Sequence, residues 1–216
     1  VKLKVRDLLS GIIVMTALYS VNLRVAGKSN VPFFNSDSIF ENDFISRIFP
    51  ESLSHYIVVI ILALIVLIVK ILMDLYLKTR SGYLLRAVGD NETLVTSLAK
   101  DKGMVKIVGL AIANGLAALA GSVYCQQKGF FEISMGTGTL VIGLANVIIG
   151  TKLFKRFGFA KSTTAVVIGS IIYKGCVSLA ISLGMEAADL KLITAVLFLL
   201  ILVVSNGREK KVKSHA

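Results

Sequence analysis

Charge is scarce in this sequence: only 17% of its 216 residues are Asp, Glu, Lys or Arg, against 55% hydrophobic residues and a mean hydropathy of +0.79. That is too apolar for a water-soluble domain of this size to hide in one core, so the surplus must face lipid. Acidic residues are the scarcer sign, 13 against 24 basic ones. In a soluble protein the resulting +11 would point to nucleic acid. Here the cations cluster between apolar runs, which is a topology signal and excludes a nucleic-acid partner. Cysteine is limited to Cys125 and Cys176, without metal or redox spacing, so small packing residues are expected there rather than a disulfide. His55 and His215 stand alone, so no metal site is expected. No phosphate loop is present: Gly27-Lys28-Ser29 imitates the end of one, but the glycine required five residues earlier is Asn22. No cleavable signal peptide is expected, and Val rather than Met at position 1 is consistent with an incomplete chain.

What is present is a series of apolar runs. Tyr56–Leu77 is apolar except for Lys70 and Asp74, and at about 1.5 Å per residue its 22 positions cross the hydrocarbon. Val105–Tyr124, Thr163–Leu183 and Ala187–Val204 are three further spans. Leu8–Val21 and Gly136–Gly150 are shorter, as expected for tilted, broken or re-entrant helices. The expected fold is therefore all-α: a polytopic membrane protein of about six transmembrane or partly re-entrant helices, forming one domain over 1–216. It has an inside loop at 78–104 and a basic tail at 205–216.

If all six segments cross, the cations divide unevenly. The side holding both ends takes Lys2, Lys4 and Arg6, the cations of 78–106, those of 152–161, and the tail. The other side has Arg24, Lys28, Arg47, Lys128 and Lys191, with Lys70 and Lys174 inside spans. The richer side is expected to be cytoplasmic. Asn22–His55 then forms an exposed outer loop bearing Asp37, Glu41, Asp43 and Glu51.

Within Val105–Tyr124, small residues recur every four positions at Gly109, Ala113, Ala117 and Gly121, a face on which helix backbones can approach closely. Asn114 beside it can bond to a neighbouring helix or line a solute path. Glycines at 136, 138, 143 and 150 are consistent with a broken helix lining a cavity, with Asn146 its deepest polar side chain. Lys70 and Asp74 stand four apart and can pair on one helix face, or serve a proton relay. Lys174 lies deep in its span. It needs a carbonyl, a partner or water there, or it meets a substrate carboxylate.

The inside loop Ser81–Gly103 is too patterned for a linker. Tyr83–Val88 is a short amphipathic run that Gly89 can end, Asp90 or Asn91 can cap a second helix, and Leu94, Val95 and Leu98 give it an apolar face. Such helices either dock into a partner's groove or lie on the lipid surface. The segments MTALYSVNLRVAGKSNVPFF and LLRAVGDNETLVTSLAKDKGMVKIVGLAIANGLAALAGSVY resemble the permeases of bacterial importers driven by ATP-binding cassettes. The likeness is to the branched-chain amino acid and ribose group, especially permeases for tryptophan or tyrosine, and covers nearly the whole chain.

That resemblance implies that Arg86, Ala87, Val88, Gly89, Asp90, Asn91 and Glu92 contact a cytoplasmic ATPase dimer, which holds the ATP and Mg, so that this chain carries no cofactor and catalyses no reaction. It also implies a second permease copy, an extracytoplasmic substrate-binding lipoprotein, a multi-pass location in the bacterial cell membrane amid its lipid, and further helices ahead of residue 1. The rival readings are a secondary transporter or channel working without an ATPase, and a membrane-embedded enzyme. The enzyme would need clustered His, Asp, Glu or Cys at one depth, and the sequence offers none.

Overall fold

The structure is a computed structural model that describes residues 7–34, 36–48, 56–90, 102–136, 139–154 and 161–184, with positions 192, 195, 196 and 199. In chain order these form α1 (Asp7–Ala26), β1 (Asn30–Pro32), α2 (Asp43–Ile48), α3 (Ile57–Tyr76), α4 (Arg80–Asp90), α5 (Lys102–Lys128), β2 (Phe130–Glu132), α6 (Thr139–Phe154) and α7 (Ser162–Ser182). The chain divides into two compact units, Val1–Gly136 and Thr137–Ala216. Helices α1, α3, α5 and α7 each contain a stretch long and apolar enough to cross a membrane, while α6 contains a shorter apolar stretch, Ile142–Thr151.

The first unit holds the principal departures from the sequence reading. Helix α1 is a full 20 residues rather than a short segment ending at Val21. Backbone hydrogen bonding carries it through Asn22 and Arg24, because a cation in the last turn complements the helix dipole and its stem can snorkel to the interface. Gly27, at φ 72°, stops it and returns its N–H to the Leu23 carbonyl at 2.9 Å. Helix α5 likewise overruns its expected limits, and its 27 residues span about 40 Å. Gly129, at φ 74°, ends it with an N–H to the Cys125 carbonyl at 2.9 Å.

The chain beyond each of these helix ends meets the other. β1 and β2 pair antiparallel with Asn30 opposite Glu132, Val31 opposite Phe131 and Pro32 opposite Phe130. Two further bonds extend the ribbon: the Phe33 N–H donates to the Gly129 carbonyl at 2.9 Å, and the Ile133 N–H to the Ser29 carbonyl at 3.0 Å. The fold is helical, as the sequence led one to expect, and adds to its helices this small two-stranded ribbon. Strands of three residues show no alternating period to read, and Pro32 sits at a strand end where its missing N–H is tolerated.

The segment between α1 and α3, expected as an exposed outer loop, is more ordered than a plain connection. Phe40 is buried, and the Ile39 N–H donates to Oε1 of Gln126 on α5 at 2.9 Å. Oδ1 of Asn42 accepts the Ile45 N–H at 2.9 Å, capping α2.

In the second unit α6 packs along α7. A Cβ at Gly150 would overlap the Ala165 carbonyl, and one at Gly169 would stand 2.5 Å from the Asn146 carbonyl oxygen and 2.6 Å from the Gly150 nitrogen. The two backbones touch, with Ala145, Ile149 and Gly150 buried on α6 and Ala165, Gly169 and Tyr173 on α7. The expected break in this glycine-rich segment is absent from the described residues, because α6 runs continuously through Gly143 and Gly150. Gly150 provides close approach instead, while Gly136 precedes the helix and Gly138 lies outside the described residues. The span expected at Ala187–Val204 is described only at Leu192, Ala195, Val196 and Leu199, each helical and exposed, and the tail from 205 lies outside the described residues.

Candidate functional site

The corner joining α3 to α4 is built by side chains whose roles can be read one at a time. Thr79 caps α4: its Oγ1 accepts the Gly82 N–H at 3.2 Å and donates to the Tyr76 carbonyl at 2.7 Å. The Tyr76 hydroxyl lies 3.1 Å from the Ser81 hydroxyl, tying the last turn of α3 to the first turn of α4. Gly82 is buried, and a Cβ there would overlap the Tyr76 carbonyl and stand 2.5 Å from the Leu77 Cα. Only glycine lets α4 fold back this tightly.

From that corner α4 runs as one helix to Asp90, passing through Gly89, where the sequence placed a helix end. A glycine within a helix lowers its stability without terminating it. The helix is two-faced. Leu85 and Val88 are half-buried at i, i+3 beyond buried Gly82, while Tyr83, Arg86 and Gly89 are exposed. Leu85 meets α5, where its Cδ1 stands 2.5 Å from the position of a Cβ on Gly109.

Among the residues expected to contact an ATPase, Arg86 and Gly89 therefore sit on the open face, with Ala87 and Val88 half-buried. Asp90 closes the helix, and Asn91 and Glu92 lie outside the described residues, as does the second short helix expected there. The exposed charge of Arg86 and the adjoining apolar Tyr83 suit a protein surface with matching acidic and apolar positions. Sequence reasoning missed Gly82, Leu85 and Thr79. A glycine inside a helical run was the available signal for Gly82, since such a residue usually has a packing reason.

The α4 corner and the β1–β2 ribbon lie at opposite ends of α5. Leu85 contacts it at Gly109, and Ile39 bonds to it at Gln126, 17 residues and about 25 Å further on. The lysines and arginines at 78, 80, 86, 102 and 106 gather around the α4 end. The ribbon end carries Asp37, Glu41, Asp43 and Glu132 beside Arg24, Lys28, Arg47 and Lys128.

The other expected site residues are divided between the two units. In the small-residue stripe on α5, Gly109 meets Leu85 of α4, whereas Ala113, Ala117 and Gly121 are exposed among the described residues, with nothing within 4 Å of a Cβ on Gly121. Asn114 is exposed on the same helix. In the other unit, Oδ1 of Asn146 is buried with no hydrogen-bond partner among the described residues. Lys174 is exposed on α7, one position beyond buried Tyr173. Hydroxyls on these helices bond within their own helix, Thr151 Oγ1 to the Val147 carbonyl at 2.7 Å and Ser170 Oγ to the Val166 carbonyl at 3.0 Å, which leaves Asn146 the unusual case. The expected pairing on α3 is present, with Lys70 Nζ 3.1 Å from Asp74 Oδ2.

Comparison with known proteins agrees with a transport architecture. The family model for the branched-chain amino acid transport system permease component matches residues 1–205. A tyrosine transport system permease protein of Clostridioides difficile is 48% identical over 217 residues, covering 100% of this chain and 69% of that protein. An uncharacterized protein of Rickettsia prowazekii is 32% identical over 199 residues, 89% of this chain and 67% of its own. The autoinducer 2 import system permease protein LsrC of Salmonella typhimurium is 36% identical over 73 residues, 34% of this chain and 21% of that one. No solved structure matches the chain. With four apolar helices of membrane-crossing length and a family model matched nearly end to end, this integral membrane protein belongs to the family of branched-chain amino acid transport system permease components.

Proposed function

We propose that the chain is the permease subunit of an ATP-driven importer for an amino acid of the tyrosine or tryptophan kind. The observation that carries this reading is the match to a tyrosine transport system permease along the entire chain, at 48% identity. The exposed face of α4 adds a place for the motor to act. Arg86 to Glu92 is the segment a cytoplasmic ATPase dimer engages, with ATP and Mg held by that dimer. ATP binding closes the dimer and displaces α4. The permease then shifts between outward and inward openings because the two states present different contacts to the ATPase.

In this arrangement α4 and both chain ends are cytoplasmic, in accord with the cations around the α4 end. The β1–β2 ribbon faces the exterior, where a substrate-binding lipoprotein delivers solute. A second copy of the permease completes the pathway in the bacterial cell membrane. Asn114, Asn146 and Lys174 are the polar side chains assigned to the solute path, and Asn146 is the best supported, having a buried acceptor that a solute ammonium or hydroxyl can satisfy.

Uptake of labelled tyrosine into proteoliposomes holding the permease, its ATPase and its binding protein tests the reading. Uptake that requires ATP and the binding protein is expected. Uptake by the permease alone, driven by an ion gradient, would replace it with a secondary transporter.

A further inference from the structure

We propose that α5 is the rod that carries the movement of α4 across the membrane, and that Leu85 seated on Gly109 is the latch through which it is pushed. This rests on the reading of α4 as the ATPase contact. Helix α4 is held at two places. At its start, the Thr79 cap and the buried Gly82 join it to the end of α3. One turn later, Leu85 rests against the α5 backbone, with Cδ1 2.5 Å from where a Cβ on Gly109 would stand. A side chain seated in a notch with no Cβ cannot slide sideways without climbing the neighbouring residues, so displacement of α4 is passed on rather than absorbed.

The geometry of the two faces supports this. Tyr83, Arg86 and Gly89 are exposed, so a partner can press on one face of α4 while Leu85 bears on α5 with the other. Along α5 beyond the latch, Ala113, Ala117 and Gly121 are exposed, so no described neighbour pins the middle of the rod. At its far end Gln126 accepts the Ile39 N–H at 2.9 Å, and Gly129 leads directly into the β1–β2 ribbon. Helix α5 is continuous over its 27 residues and contains no proline to break it. A shift at Gly109 therefore arrives at the ribbon, where the solute enters. Leu85 and Gly109 are positioning residues: neither touches solute or ATP.

The test uses the complete importer in lipid nanodiscs, in a background with Cys125→Ser and Cys176→Ser, carrying a fluorophore on Phe34→Cys in the outer segment. Phe34 is 71% exposed, so the label is tolerated. Addition of a non-hydrolysable ATP analogue is expected to change the fluorescence. Gly109→Leu, which fills the notch, should reduce that response about tenfold while the ATPase remains bound. The milder Gly109→Ala should reduce it partially, and the exchange Leu85→Gly with Gly109→Leu should restore much of it by moving the knob to the other helix.

Retention of the full response by Gly109→Leu with ATPase bound would overturn the latch and leave the assignment of α4 standing. A bound ATPase with no response in the unaltered latch would overturn the rod. Absence of any ATPase from the purified parent protein would instead remove the reading of α4 itself, and this inference with it.

Discussion

Helix α7 buries Ala165, Gly169 and Tyr173 against α6, whereas α5, with small residues at Gly109, Ala113, Ala117 and Gly121, leaves the last three exposed. Both helices carry small side chains four residues apart, Ala165 and Gly169 on α7, and both are long enough to span. The difference lies in what faces them. Gly169 meets a second glycine, Gly150, so two bare backbones come into contact and dispersion is gained along both. Among the described residues the α5 stripe meets Leu85 at Gly109, a side chain rather than a backbone. A small-residue stripe marks where a backbone can be approached, and the partner's own small residue decides whether the approach is made. Apolarity is no guide to packing in these spans: α3, rich in Ile, Leu and Val, buries none of its residues. In lipid there is no hydrophobic drive between such helices.

The largest effect should come from filling the tight contact. Gly169→Leu places a side chain where a Cβ alone would stand 2.5 Å from the Asn146 carbonyl. The expected cost is about 3 kcal/mol or more, seen as loss of monodisperse protein on heating in mild detergent. The matching change on α5, Gly121→Leu, meets nothing within 4 Å and should leave that stability unchanged or raise it by up to about 0.8 kcal/mol through helix propensity. Equal losses at the two sites would erase the distinction.

Gly129→Ala probes the ribbon end of α5. Its φ of 74° and the Phe34 Cδ1 atom, 2.5 Å from the added Cβ, should together cost about 1–2 kcal/mol. The effect should localise as faster amide exchange in the ribbon and not in α6 or α7.

Gly89→Ala should have the opposite sign. The position is helical with nothing within 4 Å of a Cβ, so α4 gains about 0.5–1 kcal/mol by thermal unfolding. Gly89→Pro should uncouple hydrolysis from transport, because the ring clashes with the preceding turn. The smallest effect belongs to Asp74→Asn, which removes one partner of a pair four residues apart and should cost about 0.3–0.5 kcal/mol by thermal unfolding.

The parts of this architecture legible in the sequence are those written in long apolar runs. Tyr56–Leu77 and Thr163–Leu183 agree with α3 and α7 to within a residue at each end, and the pairing of Lys70 with Asp74 follows from their spacing alone. Runs of apolar residues mislead where a helix outlasts its hydrophobic part, as α1 does past Val21 and α5 does on both sides. Long-range pairing is less legible still. Nothing local in Asn30–Pro32 announces Phe130–Glu132, because a strand of three residues shows no period and its partner is a hundred positions away.

The candidate site divides in the same way. Its outward residues, Arg86 and Gly89, were reached through resemblance of the loop to a known family. The residues holding α4 in place, Thr79, Gly82 and Leu85, become visible only with tertiary contacts. Asn146 was singled out as a deep polar side chain, but its buried, unmet acceptor is a property of the α6–α7 packing.

The most direct test of the central claim is purification of the tagged full-length protein from its native membrane in mild detergent, with mass spectrometry of what accompanies it. The account requires an ATP-binding cassette subunit to co-purify, and its recovery to fall about tenfold or more with Arg86→Glu on the exposed face of α4 and likewise with Asp90→Lys. Well-folded protein recovered repeatedly without any ATPase, or with an ATPase indifferent to both substitutions, would contradict it.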